Sequence, residues 1–412
     1  MSVGAPPRVL LAGVSGYGAR HLERLLHLDQ LGLIRLVALV DVRWPDGLAA
    51  RFDCCSASPL MATDLADALA QALPTAAVVA TPPHMHAAMA RLVLGAGVAL
   101  YLEKPPVPTI DELDELILLN RRFPVRCEVG FQTTRRTVDA LNAVVAAGTL
   151  GRVDRITGWG ALCRPDSYYQ RAAWAGRWFD GRTPILDGPL FNPLAHALNS
   201  AVTLAHTMDA RWEPDSVEVD AYSVRAIDGD DTTSLRVRSR YGPDVTAVGT
   251  TASDEVREPA VTAIGDRGSA TYRIADGLLS VTTAAGTSSV SSSDPGSQLD
   301  AFLHDVAAEP DPMVSLSATR SYVVVVDAAV EAAGEPHRLS EVSKPYTEKP
   351  EPDATPRSFT AFPGLASGID NCVRSGALFG EAELGWGIPP RRIEVAGYAR
   401  FHHPRLLSVH AN

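Results

Sequence analysis

Hydrophobic positions in the first third of the chain fall in short unbroken runs, separated by longer stretches of helical spacing. Arg8–Ala12 carries Val9, Leu10 and Leu11 and ends at Gly13; a helical pattern then starts near Ala19 and runs through Leu22, Leu25 and Leu26. Further apolar runs lie at Leu36–Val40, Ala76–Ala80, Val98–Leu102 and Cys127–Gly130. Between them, Leu65–Leu73, His84–Gly95 and Ile110–Arg121 have helical spacing. Strands that are apolar on both faces are covered on both faces, so this alternation predicts an α/β, doubly wound parallel sheet. Ligands of such sheets sit outside the carboxyl ends of the strands. Asp41, Thr81-Pro82-Pro83 and Glu103-Lys104-Pro105 all lie there.

The pattern changes in the middle of the chain. Val153–Leu162, Val217–Ile227, Ser234–Tyr241, Val245–Thr251, Ala260–Ile264 and Ala270–Ile274 read as strands. Alternation is strict over Leu235–Tyr241, giving one apolar face and one face with Arg236, Arg238 and Arg240. Acids alternate likewise in Glu218-Val219-Asp220, so the arginines read as cross-strand charge pairs or as an anion-binding face. Ser288–Ser297 reads as a polar loop. Leu299–Ala308 and Ser317–Ala333 read as helices, although Val323–Val326 favours a strand. Residues 342–358 hold Pro345, Pro350, Pro352 and Pro356 and suit an extended connector, and Phe362–Gly380 suits a helix returning to the body.

With 412 residues the chain is too long for one ordinary core. The expected division is 1–150, 151–341, and a connector with return helix at 342–412. A content of 46% hydrophobic and 21% charged residues excludes a disordered chain. The net charge of −11 would repel a phosphate backbone, so no nucleic-acid partner is expected. No apolar run approaches the ~18 residues of a membrane span. Met1–Pro7 lacks the basic and apolar parts of a signal peptide, which points to a cytoplasmic protein. Five cysteines, with Cys54 and Cys55 adjacent and no C-x-x-C pair, suit reduced side chains and no metal. His402-His403 has no spaced third ligand.

Candidate chemistry begins at the turn Gly13-Val14-Ser15-Gly16-Tyr17-Gly18. Gly13 permits a tight turn, Gly18 permits close packing of the helix, and the helix N-terminus offers free N–H groups to a pyrophosphate. Ser15 stands where G-x-G-x-x-G has its second glycine, and its hydroxyl can donate to phosphate. Asp41 ends the next strand 23 residues after Gly18, the place of an acid on the adenosine ribose. Such an acid repels a 2′-phosphate and favours NAD. Arg43 would attract that phosphate, which leaves NADP open.

Three segments together carry a family resemblance: Thr81-Pro82-Pro83-His84-Met85-His86, Tyr101-Leu102-Glu103-Lys104-Pro105, and Val129-Gly130-Phe131-Gln132. The chain resembles the glucose–fructose oxidoreductase/inositol dehydrogenase (Gfo/Idh/MocA) family, closely over residues 8–150 and more loosely to about 335. The resemblance implies an N-terminal Rossmann domain and an α+β C-terminal domain with an open, mostly antiparallel sheet. It also implies NAD(P)-dependent oxidation or reduction of a sugar, cyclitol or polyol, in a homodimer or homotetramer formed through that sheet. Thr81, Pro82, His86, Glu103 and Lys104 would border the cofactor.

Hydride transfer from a carbinol needs a group that takes up the hydroxyl proton. Lys104 is held at a strand end by Pro105 and Pro106, and partial desolvation beside a cofactor lowers a lysine pKa. The resemblance places it in the proton relay. Family members commonly carry Asp-x-x-x-His on a helix further along; here the matching residues are Asn192 and His196. His196 can act as a base, whereas Asn192 can only hold a substrate hydroxyl or orient the histidine. Upstream, Arg164, Tyr168, Tyr169, Trp174 and Arg177 lie in an aromatic- and Arg-rich stretch suited to a sugar ring and an anionic group, with Gln132 as a further wall. Two other readings stay open: an NAD-dependent glycoside hydrolase with an internal redox cycle, and a non-catalytic nucleotide-binding regulator.

Overall fold

The structure, a computed structural model, describes residues 5–291, 296–311, 313–339, 344–348 and 357–407. The chain divides into two compact units. The first takes the chain up to Val107, then Asp111–Gln132 and Gly296–Arg320; the second takes Pro108–Ile110, the residues from Thr133 to 295, and the chain from Ser321 onward.

The first unit is built on six parallel strands: β1 (Arg8–Ala12), β2 (Arg35–Val40), β3 (Leu60–Ala62), β4 (Ala76–Val79), β5 (Ala99–Leu102) and β6 (Cys127–Val129). Their order is β3-β2-β1-β4-β5-β6, a Rossmann-type arrangement in which the strand order reverses beside β1. Every residue of Val9–Ala12 and Ala76–Val79 is fully buried, which explains why these runs do not alternate. Leu22, Leu25 and Leu26 of helix α1 (Gly18–Gln30) pack on one face with Val9, Leu11, Leu36 and Leu39.

Leu299, Phe302 and Leu303, from the short helix Gln298–His304, complete that cluster. Arg24 pairs with Asp300, and Val129 N donates to Val314 O at 2.8 Å. Residues 296–320 therefore return to the first unit, whereas the hydrophobic pattern places them in the 151–341 domain. Membership of a domain depends on long-range contacts, which local periodicity does not carry.

The second unit holds a ten-stranded mixed sheet. Nine strands run in the spatial order Gly286–Ser291, Leu278–Thr283, Gly268–Arg273, Ala252–Gly265, Val153–Cys163, Asp244–Thr250, Thr232–Arg238, Ser216–Ser223 and His337–Arg338; Arg391–Glu394 also pairs with Ser216–Ser223. Only two of the pairings are parallel. The strand expected to reach Ile227 stops at Ser223, because Val224 N and Arg225 N both turn to the Asp231 carboxylate at 2.9 Å. The arginine face is a set of charge pairs: Arg236 with Glu218 at 2.6 Å, Arg238 with Asp244, and Arg240 with Asp215 at 3.5 Å.

Several elements differ from the pattern. Residues 288–291, expected to open a polar loop, belong to the strand Gly286–Ser291, matched to its neighbour by the hydroxyl pairs Ser280–Ser289 and Thr282–Thr287. It lacks the apolar alternation that would reveal it. Val323–Val326 lies inside the helix Arg320–Ala333 and is buried there, so packing overrides the β-branched preference. Lys344–Glu348 and Arg357–Ala361 pair as strands, while Pro350, Pro352 and Pro356 of the expected connector lie outside the described residues. The return helix is Leu365–Ser375, shorter than expected because Gly376 ends it with φ 78°.

Two helices use opposite faces of this sheet. A Cβ on Gly158 would stand 2.6 Å from Ala197 O, so the bare glycine lets the helix Ala195–Met208 lie directly on the central strand. From the alternate face, Trp159, Ala161, Val248 and Ala252 meet Leu365, Ala366, Ile369 and Cys372 of the return helix. An open sheet face was the expected route to oligomers, and over these strands the chain's own helix occupies it. Among the described residues, no helix is long and apolar enough to cross a membrane. Replacing Ile369 with Ala should cost about 2–4 kcal/mol in a denaturant titration. A loss under ~0.5 kcal/mol, within the range of ordinary surface changes, would mean that this helix does not seal the sheet.

Candidate active site

In the first unit, the turn after β1 is pressed against the end of β4. Gly13 has φ 88°, and a Cβ there would stand 2.7 Å from the Ala80 carbonyl; a Cβ on Gly18 would run into the Gly13 carbonyl. These two glycines seat the start of α1 at the strand end. Ser15, Gly16 and Tyr17 between them are exposed, and Tyr17, at the cap position, makes no side-chain capping bond to the helix. Val14 N donates to Asp41 Oδ2 at 2.9 Å and Arg43 N to Oδ1 at 3.1 Å. Each carboxylate oxygen keeps a second lone pair with which to accept from a hydroxyl.

At the end of β4, Thr81 Oγ1 is buried with no hydrogen-bond partner among the described residues. Pro82 precedes the helix Pro83–Gly95. Two backbone-only glycines, an uncapped helix start, a braced acid and a buried hydroxyl awaiting a partner suit a dinucleotide. His86 has a different use. Its Nε2 faces Thr81 O at 2.8 Å, and its Nδ1 faces Pro105 O at 2.9 Å and Pro106 O at 3.2 Å. It ties the Thr81 turn to the loop after β5 rather than presenting a nitrogen to a ligand. Burial lowers its pKa, opposing the carbonyls that would favour the charged ring.

The loop after β5 is organised around Glu103. This buried carboxylate takes His21 Nε2 at 2.7 Å and Gln132 Nε2 at 3.0 Å on Oε1, and the Lys104 backbone N–H at 3.1 Å on Oε2. Gln132 Nε2 also lies 3.3 Å from the Tyr101 hydroxyl, which burial and the Glu103 charge keep protonated well above its usual range. Gln132 thus serves the Glu103 cluster, although its sequence position suggested a substrate wall. Lys104, half-buried, follows at the strand's carboxyl end, and its bond to Pro105 is cis. His21 is absent from the expected site; only its place one turn into α1 hinted at it.

In the second unit, Asn192 and His196 are not on one helix. The helix begins at Ala195, and Asn192 lies in the turn before it, with Asn192 N bonded to Gly188 O at 3.0 Å. Pro193 follows Asn192 and disfavours helical geometry there. The Asn192 side chain donates Nδ2 to Asp187 Oδ1 at 2.9 Å. Asp187 is buried, and its Oδ2 accepts Gly176 N at 2.7 Å and lies 3.9 Å from the Arg171 guanidinium.

The aromatic- and Arg-rich stretch gathers around Tyr168 and Tyr169, whose rings meet edge-on with centroids 5.2 Å apart. Arg171 stacks on Tyr168 at 3.7 Å and on Trp174 at 4.7 Å, and Arg164 lies 5.3 Å from the Tyr168 ring. Tyr169 turns its hydroxyl to Thr251 Oγ1 at 2.5 Å, and its ring lies under Arg225 at 5.1 Å. The Arg177 side chain is exposed and pairs with Asp180 at 3.4 Å, while its backbone O accepts from Asp187 N at 2.9 Å. Asp187 and Arg171, both passed over in the sequence, are what join this stretch to the Asn192 turn. A lone acid beside glycine and an arginine among aromatics carry no spacing signal.

Residues 7–131 match the model of an oxidoreductase family described by its NAD-binding Rossmann fold. No curated protein matches the sequence. Among solved structures, the WlbA dehydrogenase from Bordetella pertussis, crystallised with NADH and UDP-GlcNAcA, is similar with a TM-score of 0.62 at 21% identity, over 80% of this chain and 96% of that one. A levoglucosan dehydrogenase crystallised with NADH is similar with a TM-score of 0.64 at 17% identity, over 79% of this chain and 96% of that one. At such identities the likeness is one of fold.

The lowered pKa of His86 has a consequence for stability. Its unfolded form titrates near 6.5 and its folded form lower, so the unfolded chain binds more protons between those values. The contribution of neutral His86 is full above pH 6.5 and fades as pH falls below it. His86→Gln should flatten that part of the stability–pH curve in denaturant titrations; an unchanged slope would show that the buried ring does not carry it.

Proposed function

We propose that this chain, whose residues 7–131 match the model of the Gfo/Idh/MocA oxidoreductase family with its NAD-binding Rossmann fold, moves a hydride between nicotinamide and a hydroxyl or carbonyl of a sugar, cyclitol or related polyol. The observation that carries the reading is the fixing of Lys104. A buried carboxylate holds its backbone N–H, and that carboxylate is itself held by His21 and Gln132. A lysine so fixed at a strand's carboxyl end stands where this sheet type receives its ligand.

NAD, when bound, supplies the hydride acceptor or donor. Gly13, Ser15, Gly16, Tyr17 and Gly18 would receive the pyrophosphate at the start of α1, with Thr81 and Pro82 beside it. Asp41 would accept from the adenosine ribose hydroxyls. Its two backbone donors hold the carboxylate in place, which supports NAD over NADP. Lys104 would take the proton of the reacting hydroxyl and return it in reduction, with His196 as the second titrating member of the relay. Asn192 has no proton to exchange at neutral pH and would hold a substrate hydroxyl. Tyr168 and Trp174 would lie along the C–H faces of a sugar, with Arg164 and Arg171 available to an anionic substituent. The two similar dehydrogenases, crystallised with UDP-GlcNAcA and levoglucosan, are in keeping with such a substrate class.

A panel of sugars, sugar acids and cyclitols with NAD provides the test, followed by reduced-nicotinamide absorbance. Lys104→Met should bind NAD as the wild type does and lose turnover by about 10²–10⁴-fold. Wild-type turnover in that variant would overturn the relay. Sugar release without net NADH would instead identify an internal redox cycle of glycoside hydrolysis.

A further inference from the structure

A carboxylate has no proton to donate, so whatever faces it across a hydrogen bond must be a donor. Asp187 Oδ1 lies 2.9 Å from the Asn192 side chain, and the atom of Asn192 on that side is therefore Nδ2. The carbonyl oxygen of the amide is turned away from Asp187. The other carboxylate oxygen is also engaged, accepting Gly176 N at 2.7 Å. Asp187 is itself buried, so this is a fixed polar contact rather than a surface pairing.

From this we infer that Asp187 is a positioning residue, whose negative charge fixes the polarity of the Asn192 amide. The inference rests on the oxidoreductase reading, in which Asn192 meets a substrate hydroxyl. Held this way, Asn192 presents Oδ1 as an acceptor, and the hydroxyl that it holds must donate. A free asparagine would present either end, because its amide can turn over at little cost. A carboxylate beside it removes that choice. Asp187 also places the contact within the fold, since Gly176 closes the aromatic- and Arg-rich stretch and Arg171 lies 3.9 Å from the same carboxylate.

The arrangement makes an unusual demand on substitutions. In Asp187→Asn, the new Oδ1 must still accept from Gly176 N, so the new Nδ2 faces Asn192. Two donors then oppose each other, the Asn192 amide turns over, and a donor replaces the acceptor toward the substrate. In Asn192→Asp, two carboxylates face each other and can coexist only by sharing a proton. In the exchanged variant Asp187→Asn/Asn192→Asp the bond from Gly176 N and the bond between the two side chains both return. The amide now at position 187 would be the donor, its Oδ1 would still take Gly176 N, and the side chain at position 192 would again present an acceptor.

The test is steady-state kinetics of these three variants, using whichever sugar or cyclitol the wild type oxidises with NAD. Asp187→Asn should lower kcat by about 10²-fold while the affinity for NAD, measured by calorimetry, stays unchanged. Asn192→Asp should be inactive at alkaline pH and regain activity as the pH falls. The exchanged variant should recover at least about tenfold over Asp187→Asn at alkaline pH. Nitrogen-15 spectra of the asparagine side-chain amides, assigned with Asn192→Asp, should show the Asn192 amide protected from exchange in the wild type and released in Asp187→Asn. A merely structural role would lower stability in all three variants without the recovery or the pH reversal.

Wild-type kcat in Asp187→Asn would overturn the assignment, as would an exchanged variant no better than Asp187→Asn. A wild type that oxidises no member of the panel would overturn the oxidoreductase reading, and this inference with it.

Discussion

A carboxylate removed from water has to be met by donors on both oxygens, and the first unit is arranged to meet Glu103. Three parts of the chain far apart in sequence contribute: His21 from α1, Gln132 just past β6, and the N–H of Lys104 itself. Gly130 is bare because a Cβ there would stand 2.8 Å from Glu103 Oε1. The helix that starts at the glycine turn, the loop that follows β5 and the segment just past β6 are thus joined at one buried charge. Removing any one donor leaves that charge short of a partner, at a cost of several kcal/mol. The lysine's place depends on this joint, and so does the account of its chemistry.

Asp187 repeats the device in the second unit. It too is a buried carboxylate whose donors come from separate segments, and it too adjoins a residue assigned to substrate. Over its central strands the sheet is covered on both faces by helices of the same chain. The helix Ala195–Met208 lies on Gly158 of the central strand, and the return helix Leu365–Ser375 covers the alternate face. That second layer comes from the last part of the chain, beyond the span over which the family resemblance runs. It gives residues 357–407 a structural task in the sheet itself, rather than that of an appended tail.

Where function presses on local geometry, the chain could be read from its residues. Unbroken apolar runs gave the parallel sheet, and Gly13, Gly18 and Asp41 announced the turn because only particular residues fit those positions. Strict alternation located the arginine strand and its acidic neighbours. The hidden parts were those set by distant contacts. The 296–320 return to the first unit, the hydroxyl-matched strand Gly286–Ser291 and the buried valine helix all owe their state to partners that no window of sequence contains. The site divides the same way. Lys104 and His196 stand in recognisable segments, whereas His21, Asp187 and Arg171 matter only through the residues they touch. His86 and Gln132 sat in the motif, and the fold employs both to hold the loop.

The central claim is that hydride passes between a substrate carbon and nicotinamide. Mass spectrometry of the cofactor, after reaction of NAD with sugars and cyclitols deuterated at their carbinol carbons, addresses it without reference to any single side chain. The account expects a single deuterium on the nicotinamide ring of the reduced cofactor. Reduced cofactor carrying no deuterium, or none formed from any substrate, would contradict it.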